Sequence, residues 1–212
     1  MMAILGRWVI AAALLAPAAP AAATLPEPID FAVYRDGAEI GHHRVRFDGA
    51  GDVLEVDIDI RLEVGLGFIT LYRYDHRNSE VWRDGAFVGF TSRTDDNGDW
   101  DVTRAEVLGD TMVVDGPEAA PGPIAPAAPT TYWNRDWTVG ARAMVDTQTG
   151  RLLAVAVAPV GRETVATADG PVQAERYRMS GDLELDIWYD DAGRWVKLAF
   201  ELGGADFEYV LR

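Results

Sequence analysis

Val53-Leu54-Glu55-Val56-Asp57-Ile58-Asp59-Ile60-Arg61-Leu62-Glu63-Val64 alternates without a break between apolar and charged residues. Successive side chains of a strand point to opposite faces, so this segment is one long strand with a dry face and a wet face. Wound as a helix, the same apolar residues would be spread around the whole circumference. On either side of it, turn signals recur, many of them ten to thirteen residues apart: Asp36-Gly37, Asp48-Gly49, Asp84-Gly85, Asn97-Gly98, Asp169-Gly170 and Gly181-Asp182. These residues tolerate the positive φ of tight hairpins. Strands are expected near 29–35, 39–47, 53–64, 68–82, 86–95, 100–108 and 111–115. More follow near 151–160, 162–167, 171–180, 183–190, 194–202 and 206–211. No helical pattern of about a dozen residues follows the leader.

The expected fold is therefore all-β. Residues 24–212 make a single domain of antiparallel meander strands, forming a large curved sheet or an open or half barrel, as one sheet or two sub-sheets. The interruption is Gly116–Thr131, with five Pro and five Ala and almost no charge. Proline removes backbone donors and blocks strand pairing, so this Pro/Ala-rich stretch is expected to be a long loop or a linker between halves.

Residues 1–23 have the form of a signal peptide. Arg7 is the only charge, Trp8–Ala16 is a short apolar run, and Ala21-Ala22-Ala23 offers the small residues a signal peptidase needs. The apolar run is well short of the roughly 20 residues of a spanning helix. The mature chain is expected to start at Thr24 and to be periplasmic or secreted, with no stable membrane insertion. An outer-membrane barrel would also combine alternating strands with a signal peptide, but Arg212 stands where such barrels carry a terminal aromatic. The chain has 212 residues, 34 Asp and Glu against 19 Lys and Arg, a net charge of −15 and no Cys. Without Cys there is no disulfide framework, thiolate zinc site or cysteine nucleophile. The acidic balance disfavours nucleic acid as a partner. The Arg-rich basic set and Ala-rich leader have the composition of a GC-rich bacterial genome.

Candidate chemistry is sparse. His42 and His43 are adjacent on one strand and so face opposite ways, which stops them sharing an ion, and His76 is the only other histidine; no metal is expected. Asp95-Asp96-Asn97-Gly98-Asp99 lacks the twelve-residue frame of a calcium loop and reads as a hairpin turn. There is no Gly-x-Ser-x-Gly elbow and no phosphate-binding glycine loop ahead of a helix, and no cofactor is expected.

The informative feature is aromatic. Phe68, Tyr72, Tyr74 and Trp82 fall on even positions of one long strand with His76, Asn78 and Glu80, and so share a face. Such a face either fills a large core or lines a concavity for an apolar or amphiphilic small molecule. In the second case His76, Asn78 and Glu80 would orient the ligand. With Trp133, Asn134 and Trp188, the candidate ligand-binding set is Tyr72, Tyr74, His76, Asn78, Glu80, Trp133, Asn134 and Trp188. No catalytic residue is assigned.

Several short motifs resemble those of an uncharacterised family, a domain of unknown function, of exported bacterial β-rich proteins. They are Phe31-Ala32-Val33-Tyr34, Ile40-Gly41-His42-His43, Tyr74-Asp75-His76 with Glu80-Val81-Trp82, and Thr94-Asp95-Asp96-Asn97-Gly98. Tyr132-Trp133-Asn134, Asp146-Thr147-Gln148-Thr149-Gly150, Gly181-Asp182-Leu183 and Trp188-Tyr189-Asp190 continue the pattern. The resemblance spans nearly the whole mature chain. It implies export and a β fold, similar to open-barrel proteins of the lipoprotein-carrier kind, and transfers no activity. The function expected is binding of an apolar or amphiphilic ligand by a soluble exported protein. A structural or envelope-assembly role is the first alternative. A hydrolase-like enzyme using His42 or His43, His76 and nearby carboxylates is the second.

Overall fold

The computed structural model describes residues 25–66 and 69–212. The leader at residues 1–23 and Phe68 lie outside the described residues. Strands β1 (Ile29–Arg35), β2 (Ala38–Ala50), β3 (Val53–Leu66), β4 (Ile69–Arg83), β5 (Ala86–Asp96), β6 (Asp99–Leu108) and β7 (Thr111–Asp115) form an antiparallel meander. Then come β8 (Ala128–Pro129), helix α1 (Arg135–Gly140) and β9 (Ala143–Val145). A second meander follows: β10 (Leu152–Thr167), β11 (Gly170–Gly181), β12 (Leu185–Asp190), β13 (Trp195–Leu202) and β14 (Ala205–Leu211).

The two meanders are one sheet. Its order runs from β7 back to β1, then from β14 back to β8. The join is the β1–β14 pair, with Phe31 opposite Leu211 and Val33 opposite Tyr209. Pairing of the first and last strands makes one sheet of 14 strands in place of two sub-sheets. Every neighbouring pair is antiparallel except β8 with β9. The β3 alternation holds: Val56 and Ile58 are buried and Glu55 and Asp57 exposed.

The turn spacing predicts a break near residue 161 in the segment 151–167, but β10 runs through it. Gly161, at φ +150°, absorbs a register shift against β11. Helix α1 is too short to register as a periodicity; Asn134 caps it by accepting the Trp137 amide at 3.3 Å.

The Pro/Ala-rich segment is a long loop, but it does not link two separate halves. Its Ile124 exchanges two backbone bonds with Met112 of β7, at 2.8 and 2.9 Å, and its end supplies β8. The segment Asp146–Gly150 then lies against buried side chains of β5 and β6 without strand pairing. Ser92 of β5 donates to the Thr147 carbonyl, Thr103 of β6 donates to the Gln148 carbonyl at 2.7 Å, and the Glu118 amide donates to the Thr149 carbonyl at 2.8 Å. The result is barrel-like, sealed by loop contacts. Among the described residues no helix is long and apolar enough to cross a membrane.

Candidate functional site

Along β4 the side chains of Tyr74, His76, Asn78, Glu80 and Trp82 point inward and are buried. Asp75 and Arg77 point outward into a set of ion pairs, Arg61 to Asp75 at 3.3 Å and Arg77 to Asp59 at 3.6 Å. Two-residue periodicity alone accounts for this division.

Glu80 is the centre of the inner row. Its Oε2 accepts the indole N–H of Trp82 at 2.8 Å and that of Trp133 at 2.9 Å, and its Oε1 accepts the Asn78 amide at 3.2 Å. Burial pushes the carboxyl above its ordinary value, while the hydrogen bonds from Trp133, Thr131, Trp82 and Asn78 pull it back. Trp133 arrives from the segment between β8 and α1, so this carboxylate pins the long loop to the sheet. The rings of Trp82, Trp133 and Trp137 meet edge to face, with centroids 5.0 and 5.1 Å from that of Trp82.

The histidines do not converge. His76 bonds Thr94 through Nδ1 at 2.9 Å and Thr147 through Nε2 at 3.4 Å, and burial lowers its pKa to about 4. His43 lies among Phe31, Trp195 and Tyr209 with both ring nitrogens unpartnered. Burial, together with His76 and His42, lowers its pKa to about 3. His42 points to the opposite face and bonds Asp59 at 2.8 Å. Glu80 spends its acceptor positions on indoles and an amide, and no hydrogen bond joins it to a histidine. A proton relay of His42 or His43, His76 and Glu80 is therefore not assembled.

The remaining sequence candidates separate. Tyr72 lies near the start of β4 and is 36% exposed; burial and Asp96 raise its pKa to about 12. Trp188 is buried, on the face of β12 opposite to Ile187 and Tyr189, across from Arg176 and Lys197, with their cationic groups 5.2 and 5.1 Å from its ring centre, and its indole donates to Glu163. It therefore does not share a wall with Glu80. Trp133 and Asn134 of the set line an open cavity.

That cavity, of about 800 Å3, opens at the β1–β2 side of the barrel, where Ile29, Phe47 and Trp133 form an apolar floor. The Phe47 and Trp133 rings stand edge to face at 5.2 Å. Its rim comes from three distant parts of the chain: Pro26 and Glu27, Asn134–Asp136, and Asp190–Arg194, with Arg162 and Glu175 beside them. Phe47, Arg135, Arg162 and Arg194 were not among the sequence candidates. Each lies in an ordinary strand or turn, and only the closure of the sheet brings them together. A shallower depression of about 450 Å3 lies across β4–β7, lined by Val81, Gly89 and Val113 among others.

The sequence profile described as "Domain of unknown function (DUF6134)" matches residues 31–212. No curated protein matches the chain. Among solved structures, the chain is similar to a beta-barrel-like protein of the domain of unknown function DUF1849 from Brucella abortus. The TM-score is 0.63 at 12% identity, and the similarity covers 89% of this chain and 96% of that one. At that identity the likeness establishes the fold alone.

Proposed function

The chain belongs to the DUF6134 family, and from that premise we propose that it is an exported module, periplasmic or secreted, that binds an apolar or amphiphilic small molecule at the mouth of the barrel. The observation that carries this reading is the cavity over Ile29, Phe47 and Trp133, an apolar floor inside a charged rim. Ligand sites are usually concave, mainly apolar and supplied with a few placed polar groups. The inner face of β4 takes a supporting part: Glu80 holds Trp133 by its indole N–H and so fixes the floor. Cleavage of the leader near Ala23 would place the new N-terminus a few residues from Pro26 and Glu27 on the rim.

A second reading, a structural or envelope-assembly protein with no small ligand, is favoured by one observation. Much of the barrel interior is filled by the chain's own aromatics, Phe31, Trp195 and Tyr209 among them.

Native mass spectrometry of the protein purified from its own envelope separates the two. A co-purifying lipid or metabolite is expected, together with saturable binding of an environment-sensitive apolar dye that Trp133→Ala weakens. A bare mass with no dye response would leave the structural reading. N-terminal sequencing of the same sample should begin at Thr24, and recovery only by detergent from outer membranes would overturn the soluble reading.

A further inference from the structure

The charges around the mouth define the head group it accepts. Each guanidinium already meets a carboxylate, and of Arg194 only the Nε–H is buried without an acceptor. Arg135 meets Glu175 at 3.4 Å and the Tyr177 hydroxyl at 2.6 Å, Arg162 meets Asp191 at 2.5 Å, and Arg194 meets Glu27 at 3.4 Å. An anionic head would have to displace a carboxylate from one of these pairs. Two carboxylates remain beyond the three pairs. Asp136 is 90% exposed and only 3.6 Å from the already occupied Arg135, and Asp190 accepts the backbone amides of Ala192 and Arg194 at 2.9 Å. The lining therefore carries five carboxylates against three guanidiniums. The chain's net charge of −15 adds a long-range field of the same sign. Trp133 and Phe47 line the same cavity, and aromatic rings of this kind attract an onium group.

We propose that the ligand of this site is a cationic amphiphile, an amine or quaternary ammonium on an apolar tail, in preference to a fatty-acid-like anion. The inference rests on the reading of the mouth as a ligand site and adds the sign of the head group.

The test is isothermal titration of the mature protein with three ten-carbon probes below their micelle concentrations: decyltrimethylammonium, decyl maltoside and decanoate. At low ionic strength the cation should bind on the order of tenfold or more tighter than decanoate, with the neutral probe between them. Raising the salt to about 1 M, where the Debye length is about 3 Å, should collapse the difference on the wild-type protein. Asp136→Lys removes the excess of carboxylates over basic side chains in the lining and, with the α-ammonium of the processed chain nearby, should also erase the preference; the salt series makes the same test without any substitution. Equal affinities, or decanoate binding tightest, would overturn the head-group assignment and leave the binding site standing. No binding of any probe would overturn both.

Discussion

Replacing Glu80 separates the shape of this buried acceptor from its charge. In Glu80→Ala the indoles of Trp82 and Trp133 and the amide of Asn78 lose their acceptor inside the barrel. A buried donor left without a partner costs about 1–3 kcal/mol. These three are neighbours and do not add fully, so the loss should be about 3–6 kcal/mol. Against a typical domain stability of about 5–15 kcal/mol, that is a large fraction. Glu80→Gln is different. Its carbonyl oxygen can stand where Oε2 stands and keep both indoles. Its new N–H2 then faces Asn78, whose Oδ1 is buried without a partner, and a turn of the Asn78 amide pairs the two. Burial raises the Glu80 pKa above its ordinary 4.5. The sign follows: this group's contribution is intact below about pH 4.5 and is lost as pH rises through the higher folded value, so the carboxylate destabilises the fold at neutral pH. The glutamine variant should therefore lie within about 1 kcal/mol of wild type at pH 7. It should also gain on wild type as pH rises above about 4.5. Urea unfolding followed by tryptophan emission, with unchanged slope, measures both effects. A glutamine variant as damaged as the alanine variant would refute the reasoning, because charge and not acceptor geometry would then be holding Trp133.

Three further outcomes are expected. His43 has a folded pKa of about 3 against 6.5 unfolded, so its stabilising neutral form is fully effective above pH 6.5 and is lost as pH falls toward 3. This group alone should remove about 3 kcal/mol by pH 4, and thermal melts of His43→Leu should show a flatter acid limb with stability at pH 7 equal or higher. At Gly41 a Cβ would stand 1.9 Å from the Arg61 carbonyl oxygen, beside the bulge where β1 and β2 shift register, so Gly41→Ala should lower the denaturant midpoint sharply while Gly37→Ala, with open space around it, should act mainly through its positive φ. Thr103→Val removes the donor to the Gln148 carbonyl, and hydrogen exchange at the Glu118 amide should quicken about tenfold if the Asp146–Gly150 segment seals the barrel, with an unchanged rate counting against that role.

The amino-acid order by itself determined the local decisions. Period two in Val53–Val64 and Tyr74–Trp82 settled which side chains face inward, because a strand's two faces follow from backbone geometry alone. Asp36-Gly37, Asp84-Gly85 and Asn97-Gly98 marked hairpins, since few residues accept positive φ and Asp36, Asp84 and Asn97 do adopt it, whereas Asp48-Gly49 lies inside β2 and the turn falls on Gly51-Asp52. Those same rules placed His42 and His43 on opposite faces. What period two cannot express is the meeting of segments far apart in the chain. The β1–β14 pair, Trp133 on Glu80, and the arginines gathered from residues 135, 162 and 194 all depend on how far the sheet curls before its edges meet. That curl accumulates over 14 strands from twist, bulges and the loop that fills the middle. No short window of residues encodes it, so the aromatic face was legible in the sequence, while its filling by the chain's own tryptophan and the position of the open mouth were decided only by the tertiary structure.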